Sequence, residues 1–433
     1  MTKAALAFLS DGFKEAPFWR DELPDVPIPA VDLPDKVETL VIGAGFTGLV
    51  TALTMARAGR EVLVVDAGEP GHGCSTRNGG QVSPEMRPTS EGLGRKLGPE
   101  AAQRILGTGA AAHKFLRGFV ATEKIDCDYK VCGHFIGAHS PGRLKDLEAF
   151  GAEQRLFGSQ AVIVPRSEQG AFVESDDFHG GLALPDWSSI HPGRYHRALL
   201  RLALAAGARI LPSHRVEKID DLGDHARVTV AGRMIQAQAV VVGTDRYADG
   251  ALPWLRRRIV SVASYVLTTE PMDPALVARL YPGARMVYDT RKNVSYHRPT
   301  PDGQRILFGT VVPLQEAHAL ESLPMARANM LRVFPDLVDV KISHAWYGMV
   351  GATFDHLPHI GSHGRIHYAT GYNGTGIAMS TYLGTMLGRK LMRAPDAVTG
   401  LDGRSFPTMP FYTGNAWFRT PLLYLHQLQD AMR

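Results

Sequence analysis

The spacing of apolar residues predicts a strand, a tight turn, a helix and a second strand near the N-terminus. Glu38–Ile42 is a short apolar run rich in β-branched side chains, which is typical of a buried parallel strand. Helical spacing follows over Leu49–Ala56 and ends at Gly59, a favoured C-terminal cap. A second apolar run, Glu61–Val65, leads directly to Asp66. This order of elements predicts the beginning of a parallel α/β sheet.

Later stretches continue this pattern. A helical pattern over Tyr195–Ala206 ends at Gly207, and the strand Ala208–Leu211 that follows is expected to return to the first sheet. The run Ala239–Val242 is uniformly apolar, as strands buried on both faces of a parallel sheet are. A last predicted strand, Ile366–Ala369, precedes a glycine-rich turn and another helix. The parallel sheet is therefore predicted to be assembled from distant segments.

Other regions follow different patterns. Helices are predicted over Gly94–Lys124 and Leu144–Leu156, with a hairpin-like stretch at Tyr129–His139 between them. Further along, strands follow one another without long helices, which favours antiparallel pairing. These predicted strands are Ile259–Thr269, Met286–Asp289, Asn293–Arg298 and Arg305–Val311. The fold class predicted is α/β (α+β), a parallel sheet domain with an inserted antiparallel sheet.

The turn after the first strand indicates a ligand. Residues 43–48 read Gly-Ala-Gly-Phe-Thr-Gly, a G-x-G-x-x-G sequence that opens a helix. Gly43 permits the turn, Gly45 lets a pyrophosphate approach the backbone, and Gly48 lets helix and strand pack closely. The helix N-terminus favours the phosphates, and Asp66 at the end of the second strand would accept a hydrogen bond from a ribose hydroxyl. We therefore predict a Rossmann-type dinucleotide-binding domain.

A second loop of small residues distinguishes between dinucleotides. Residues 71–81 read GHGCSTRNGGQ, where a nicotinamide dehydrogenase would continue its alternation of strands and helices. This loop, with the segments Trp346–Gly361 and Thr370–Ile377, resembles the D-amino-acid oxidase family of FAD-dependent amine oxidoreductases, most closely its γ-glutamylputrescine oxidoreductase-like branch. The likeness covers nearly the whole chain. It implies a glutathione-reductase-like FAD-binding domain, with the inserted sheet as the substrate domain.

The motif and the resemblance together give a predicted set of FAD contacts. The resemblance places the Val216 backbone near the adenine and the C-terminal glycine loop near the pyrimidine side of the flavin, where a helix N-terminus would favour the negative charge that grows on reduction. The predicted contacts are Gly43, Gly45, Phe46, Thr47, Gly48, Asp66, Ala67, Gly73, Cys74, Ser75, Arg77, Asn78, Gly79, Gly80, Gln81, Val216, Thr244, Gly351, Asn373, Gly374, Thr375, Gly376 and Ile377.

The resemblance implies oxidation of a C–N bond in a small amine by hydride transfer to flavin N5, giving an imine that hydrolyses. Such chemistry requires a placed substrate with an unprotonated nitrogen and no protein acid or base, so no catalytic side chain is assigned. A flavin site does need an apolar wall with a few oriented polar groups. The predicted substrate-pocket residues are Tyr265, Tyr288, Tyr296, Arg298 and Trp346.

Three departures from sarcosine-oxidase-like relatives modify this expectation. Those enzymes attach FAD through a cysteine in the C-terminal half, whereas every cysteine here precedes residue 133, so noncovalent FAD is expected. A lysine that helps bind a substrate carboxylate is replaced by Gly376. Leu307 is matched to the position at which those enzymes have a lysine that promotes reaction with oxygen. The electron acceptor is therefore expected to be either oxygen or another molecule.

The preferred substrate is an N-substituted polyamine or ω-amino compound. Two alternatives stay open: a D-amino-acid, glycine or sarcosine-type oxidase, and a flavoprotein electron-transfer subunit of a larger dehydrogenase. A homodimer is possible on this interpretation.

Composition excludes several other classes. The 433 residues are 45% hydrophobic and 21% charged, enough for two or three domains. A formal net charge of +4 gives no reason to expect nucleic acid, and Arg256–Arg258 is interpreted as a solvated turn. Apolar stretches stop well short of the roughly 20 residues that span a bilayer, and no signal peptide is evident, so we expect a cytoplasmic protein. No metal site is expected from His356, His359 and His363, which lack helical spacing and nearby cysteines.

The cysteines predict no disulfide framework. Cys74, Cys127 and Cys132 are too few for one and suit a reducing compartment. The C-x4-C spacing of the last two occurs in flavin-dependent disulfide reductases, but there it lies just after the ribose-binding acid, and here it comes much later. We interpret the pair as half-buried thiols.

The predicted domain boundaries follow from these elements. An N-terminal lead-in, 1–35, is expected to be irregular and to lie on the surface, and a C-terminal tail, 393–433, to wrap the surface. The FAD-binding domain is predicted to comprise 36–95, 186–250 and 345–392, and the substrate domain 96–185 and 251–344.

Overall fold

A computed structural model of the chain describes residues 6–21, 23, 25–311, 318–418, 421–422, 424–426 and 429. The α-helices are α1 (Phe46–Arg57), α2 (Ser90–Leu97), α3 (Pro99–Thr122), α4 (Arg143–Leu156), α5 (Pro192–Ala205), α6 (Pro253–Arg256), α7 (Pro274–Leu280), α8 (Ala319–Val333) and α9 (Gly376–Leu391). The strands are β1 (Leu9–Lys14), β2 (Lys36–Ile42), β3 (Val62–Val65), β4 (Gln81–Val82), β5 (His134–Gly137), β6 (Val162–Val164), β7 (Gly181–Leu184), β8 (Ser188–Ser189), β9 (Arg209–Leu211), β10 (Val216–Asp221), β11 (Ala226–Val230), β12 (Arg233–Val242), β13 (Ile259–Thr269), β14 (Met286–Asp289), β15 (Ser295–Pro299), β16 (Ile306–Thr310), β17 (Ile342–Thr353), β18 (His359–His363) and β19 (Ile366–Thr370). Short 3-10 helices span Phe18–Arg20, Cys74–Thr76, Arg166–Ala171, Asp245–Tyr247, Pro282–Ala284 and Pro335–Leu337.

The first sheet is parallel at its centre, as the apolar runs predict. Strands β12, β2, β3 and β9 lie side by side in that order, and β12 also pairs with β11 through its first half and with β19 through its last residues. Val242, Ile42 and Val65 are register partners on neighbouring strands. Because parallel strands end at a common edge, the segments that follow these three residues meet there.

Helices α1, α5 and α9 pack in one hydrophobic cluster against this sheet. Glycines bring α1 and α9 close together: a Cβ added at Gly384 would lie 2.8 Å from the Thr47 carbonyl oxygen, and one at Gly388 would lie 3.1 Å from Thr54 Cβ. The predicted α/β fold with its Rossmann-type unit is confirmed.

The second sheet is mixed and not purely antiparallel as predicted. Its strand order is β1-β17-β13-β16-β15-β14-β5-β7-β6. The four predicted strands of the central region form β13 to β16 and pair antiparallel where they adjoin. However, β1 pairs parallel with β17, and β14 pairs parallel with β5. These two pairs join segments that are distant in sequence, so the local spacing of apolar residues cannot predict them.

Packing crosses two of the predicted domain boundaries. Helix α3, assigned to the substrate domain, contributes Ala102, Ile105 and Leu116 to the cluster that contains α1 and α9. Strand β17, assigned to the FAD-binding domain, pairs along its length with β13 of the second sheet. The boundaries themselves stay a prediction, but a division based on packing would exchange these two elements.

The lead-in is not an irregular surface segment, so that prediction is wrong. Residues 9–14 form the edge strand β1 of the second sheet. Trp19 is completely buried, and it packs with Val266, Leu307 and Trp346. Its indole Nε1 donates to the Asn78 carbonyl oxygen at 2.8 Å. The lead-in thus supports the loop predicted to contact the flavin.

Two local predictions between residues 94 and 139 also differ. The predicted helix Gly94–Lys124 is broken at Gly98, whose φ of +86° ends α2 and precedes Pro99 at the start of α3. The predicted hairpin Tyr129–His139 contributes one strand, β5, which lies between β14 and β7. Across the described ranges, no helix is both long and apolar enough to cross a membrane.

Replacing Trp19 tests the structural role of the lead-in. Trp19→Ala should lower the free energy of unfolding by about 3–5 kcal/mol, because a fully buried indole leaves a cavity and an unpaired carbonyl. Trp417→Ala is the control, since that side chain is 63% exposed and should change stability by no more than about 0.5 kcal/mol. Chemical denaturation measures the free energy of unfolding of both variants. Equal values for the two would show that Trp19 does not stabilise the fold in this way.

Candidate functional site

A cavity of about 1460 Å³ opens between the carboxyl edge of the first sheet and one face of the second. Side chains from the α1 turn, the 71–81 loop, the α9 N-terminus and strands β13, β14, β15 and β17 line it. This volume exceeds the roughly 300–1,000 Å³ of ordinary small-molecule pockets. The space is therefore sufficient for a dinucleotide together with a second, small molecule.

The first wall is the turn between β2 and α1. Gly43 has a φ of +97°, a conformation that glycine adopts without strain. A Cβ at Gly48 would lie 1.9 Å from the Gly43 carbonyl oxygen, and one at Gly243 would lie 2.8 Å from the Gly48 nitrogen. No side chain fits at either position. The predicted turning role of Gly43 and packing role of Gly48 are both observed.

The N-terminus of α1 faces the cavity without a side-chain cap and without an acidic residue in its first turn. The Phe46 amide donates to Ser75 Oγ at 3.0 Å, and the Asp66 carboxylate accepts from the Ala44 and Gly68 amides at 2.7 and 3.0 Å. Burial raises the pKa of Asp66 and these amide bonds oppose the shift. A helix start of this kind attracts an anion.

The second wall is the 71–81 loop, which other segments hold in place. The Asn78 side chain donates to the Cys74 and Ser75 carbonyls at 3.0 and 3.1 Å and accepts from the Gly80 amide at 2.9 Å. The Trp346 indole donates to the Arg77 carbonyl at 2.9 Å. Because the loop is rich in small residues and is held by these hydrogen bonds, its backbone is exposed to a flat ligand in the cavity.

The third wall is the N-terminus of α9, again without a side-chain cap or an acidic residue in the first turn. The Asn373 side chain accepts from the Thr353 amide at 2.9 Å, which connects this loop to β17. Asp245 makes a further connection, because its carboxylate accepts from the Gly371 and Gly351 amides at 2.7 and 3.2 Å. Two helix dipoles thus point their positive ends into one cavity.

The cavity collects nearly all of the predicted cofactor contacts. Of the described residues, those that line it include Gly43, Gly45, Phe46, Thr47, Asp66, Ala67, Gly73, Cys74, Ser75, Arg77, Asn78, Gly79, Gly80, Gln81, Val216, Thr244, Asn373, Gly374, Thr375, Gly376 and Ile377. The two predicted contacts outside the lining are Gly48, which lies behind the turn, and Gly351, which packs against Asp245.

These residues fit a flavin dinucleotide. Thr244 lines the cavity, and its buried hydroxyl oxygen has no hydrogen-bond partner within the described part of the protein. The backbone of Gly45 lines the cavity, and a Cβ added there would lie 2.9 Å from Ser75 Oγ and would enter the space in front of α1. An uncapped helix start suits the pyrophosphate, and the second suits the electron-accepting side of a flavin.

Comparison with known proteins agrees with this geometry. The family model described as "FAD dependent oxidoreductase" (DAO) matches residues 38–389. The chain belongs to this family. It is an FAD-dependent oxidoreductase, of a family whose characterised members act on C–N bonds of amines or amino acids.

Relatives and solved structures support the assignment. The chain is 26% identical to the probable oxidoreductase OrdL of Haemophilus influenzae, over 89% of this chain and 90% of that one. It is 28% identical to the γ-glutamylputrescine oxidoreductase of Escherichia coli, over 86% and 88%. Its fold is similar to that of L-proline dehydrogenase from P. horikoshii, with a TM-score of 0.70 at 20% identity over 83% and 94% of the two chains. Glycine oxidase from Geobacillus kaustophilus also gives a TM-score of 0.70, at 18% identity over 88% and 99%.

The predicted substrate residues divide into three groups. Tyr288 and Tyr296 line the cavity, and Tyr296 hydroxyl lies 3.0 Å from Ser264 Oγ. Arg298 and Trp346 are buried beside Trp19 and lie outside the lining. Tyr265 does not line the cavity, unlike the prediction, because alternate residues of β13 face opposite ways and it packs with Met349 and Tyr347.

Leu307, matched by resemblance to an oxygen-activating lysine, is fully buried in the cluster of Trp19 and Trp346 and does not line the cavity. Arg298 keeps its guanidinium in the same region, where Nη1 donates to the Ile190 carbonyl at 3.1 Å and burial lowers its pKa to about 10. The lead-in covers this part of the second sheet. Leu307 and Arg298 are therefore buried beneath it and are not accessible from the cavity.

Sequence reasoning missed several polar residues of the cavity. Glu85 and Arg87 follow the 71–81 loop, and His134 lies on β5. Phe418 and Leu422 bring the C-terminal tail to the cavity. Glu85 and Arg87 could have been found, since charged residues directly after a ligand-binding loop are candidates for the site. Nothing in the local pattern indicated His134.

The cysteines and histidines behave as ordinary side chains. Cys74 lines the cavity, but burial raises the pKa of its thiol to about 12, so it is not a thiolate at neutral pH. Cys127 and Cys132 are free and lie outside the cavity lining. The His359 ring stacks on the Phe406 ring, with the ring centroids 3.9 Å apart, and His359 Nε2 lies 3.1 Å from Asp355 Oδ1. His356 lines the cavity, whereas His363 stacks on Trp254 at 4.5 Å.

Flavin loading of glycine variants tests the turn. Gly45→Ala should yield protein with little or no bound FAD, because the added methyl group occupies the space in front of α1. The control is Gly118→Ala, since Gly118 in α3 has no atom within 4 Å of an added Cβ. The ratio of flavin to protein absorbance measures loading. A fully loaded Gly45→Ala protein would contradict the assignment of this turn to the pyrophosphate.

Proposed function

We propose that the chain oxidises the C–N bond of a small amine that carries a second, protonated nitrogen, as N-substituted polyamines and ω-amino compounds do. The observation that carries the proposal is a carboxylate on the cavity wall. Glu85 lies in the cavity with its side chain 14% exposed, and Oε2 accepts from the Tyr288 hydroxyl at 2.9 Å. Its other oxygen, Oε1, is 3.8 Å from Arg87, beyond hydrogen-bond distance. That oxygen is ion-paired with Arg87 but accepts no hydrogen bond from it, and in this proposal a cationic ligand donates to it.

The remainder of this wall suits a methylene chain. Ile136, Leu147 and Phe150 line the same cavity and supply apolar contact. Tyr288 is on β14, next to β15, which carries Tyr296. Strands lie about 4.8 Å apart. A chain of a few methylenes can therefore reach from the region of Tyr296 to the region of Glu85.

The role of the protein is to place the substrate and exclude water. FAD, when bound, supplies an acceptor for a hydride at N5. The loop at Gly79, the Tyr296 ring and Ser264 form the wall nearest the expected reacting end, since a Cβ at Gly79 would lie 2.7 Å from Tyr296. The reacting nitrogen must be unprotonated, and a partly apolar wall disfavours its cation. The oxidised product is an imine, which hydrolyses to a carbonyl compound and an amine.

The alternative of an amino-acid oxidase needs a free cationic anchor for the substrate carboxylate. Arg87 is one candidate among the cations that line the cavity, but its Nε donates to the Asn373 carbonyl at 3.2 Å and its charge faces Glu85. Gly376 offers no cation at the start of α9. These contacts support the amine over the amino acid as substrate.

Anaerobic bleaching of the flavin band distinguishes the proposed substrate from the alternatives. N-methylputrescine should bleach it faster than butylamine, glycine or D-alanine at equal concentration, because only the first combines an aliphatic chain with a distal cation. Fastest bleaching by glycine or D-alanine would establish the amino-acid alternative. Failure of all four to bleach it would favour the electron-transfer subunit.

Glu85→Gln should raise KM for N-methylputrescine by about 10- to 100-fold and leave KM for butylamine within about threefold. A hydrogen bond to a charged group contributes about 1.5–3 kcal/mol, and each 1.4 kcal/mol is tenfold. Glu91→Gln serves as the control, since Glu91 is 81% exposed. Steady-state kinetics provide the measurement, and an equal rise in KM for both amines would show that Glu85 does not bind the distal nitrogen.

The pH dependence of kcat/KM follows from the substrate. An alkylamine has a pKa near that of lysine, about 10.4, so the reactive neutral form increases about tenfold per pH unit below that value. Burial raises the pKa of Tyr296 and Cys74 to about 12 and lowers that of His134 to about 3, so none of these three changes charge between pH 6 and 9. We expect kcat/KM for butylamine to rise steadily over this interval. A flat profile would mean that the protonated amine is the reacting form.

A further inference from the structure

The C-terminal tail carries a stripe of side chains that faces the cavity. Residues 421–422, 424–426 and 429 are helical, and the Leu422 amide donates to the Phe418 carbonyl oxygen at 3.2 Å. Phe418, Leu422 and His426 all line the cavity. These three residues are spaced four apart, which places their side chains on one face of a helix. That face is directed into the cavity.

The opposite side of this helical turn faces solvent. Tyr424 and Leu425 lie between Leu422 and His426 in the sequence, but they do not line the cavity. They are 53% and 47% exposed. A single helical turn thus has the cavity on one side and solvent on the other. Apolar side chains at such a place exclude water from the space behind them.

Two contacts attach the segment to the second sheet. At one end, the buried Tyr412 hydroxyl donates to the Ile259 carbonyl oxygen at 2.7 Å, and the Tyr412 ring centroid lies 6.1 Å from that of Phe418. At the other end, the Lys292 ammonium donates to the side-chain oxygen of Gln429. Ile259 begins β13 and Lys292 lies between β14 and β15. Because β16 and β15 lie between β13 and β14, the segment extends across this end of the sheet.

The same end of the sheet lines the cavity. Val260, at the start of β13, and Val294, just before β15, are both part of the lining. Tyr288 and Tyr296, which stand beside the substrate in the proposed function, are on the strands before and after the Lys292 loop. The tail segment therefore lies at the substrate end of the cavity.

We infer that this C-terminal segment is a lid, in which Phe418 and Leu422 close the substrate end of the cavity to solvent and restrict access to the flavin. A lid of this kind goes beyond the proposed function and is independent of which amine the enzyme oxidises. Excluding water strengthens the polar contacts that place a substrate, because the local dielectric constant falls. It also protects the imine product from water until the lid opens.

Reduction by dithionite measures access to the flavin without an enzymatic substrate. In the FAD-loaded enzyme, Phe418→Ala and Leu422→Ala should each accelerate anaerobic bleaching of the flavin band about three- to tenfold, because each removes an apolar side chain from the lid. Trp417→Ala and Leu425→Ala are the matched controls, because these neighbours are 63% and 47% exposed and do not line the cavity. Both controls should bleach within about twofold of the wild type, as surface substitutions do little.

Equal rates in all five proteins would overturn the lid. Equal acceleration by the lid variants and the controls would also overturn it, because it would indicate a general loosening of the tail. The ratio of flavin to protein absorbance is measured first in each variant. If a lid variant does not load FAD, Gln429→Ala replaces it, because this change removes the bond to Lys292 and Gln429 does not line the cavity. It should accelerate bleaching as well, and an unchanged rate would count against the lid.

Failure of the lid and failure of the proposed function give different results. If dithionite responds to the lid variants as expected and no amine bleaches the flavin, the proposed function fails and the lid is supported. If the amines bleach the flavin and dithionite reduces every variant at the wild-type rate, the lid is overturned and amine oxidation is retained.

Discussion

The approach of backbone to backbone at the edge of the first sheet is the constraint on which the site depends. The Gly48 position has no room for a Cβ beside the Gly43 carbonyl oxygen, and Gly243 closes on the Gly48 nitrogen from the neighbouring strand. Only glycine allows α1 to start directly above β2 and β12. As a result, the unpaired N–H groups of the helix face the cavity, where an anion can meet them.

A second constraint fixes the two sheets relative to each other. The Asp245 carboxylate is buried among the loop before α9, the strand β17 and the Thr370 hydroxyl, which donates to it at 3.0 Å. Burial raises the pKa of Asp245 and these bonds oppose the rise. One side chain therefore connects the loop before α9 to strand β17 of the second sheet.

Local sequence was sufficient where the structure itself is local. The G-x-G-x-x-G turn, Asp66 and the 71–81 loop could be predicted because each acts within a few residues of its own strand. Tyr265 could not be separated from Ser264, because both faces of β13 are covered and the period of two does not say which face meets the ligand.

The remaining differences are also tertiary. Arg298 and Trp346 lie in the region that Trp19 covers, and Trp19 arrives from a segment without recognisable periodicity. The parallel pairings of β1 with β17 and of β5 with β14 join distant segments, so no local sequence pattern predicts them.

The most direct measurement of the central claim is a crystal structure of the FAD-loaded protein with N-methylputrescine bound under anaerobic conditions after reduction. The account predicts the pyrophosphate at the start of α1, the pyrimidine side of the flavin at the start of α9, the primary amine beside Tyr296, and the distal nitrogen at Glu85. A substrate bound in the opposite direction, or a distal nitrogen that does not contact Glu85, would contradict it.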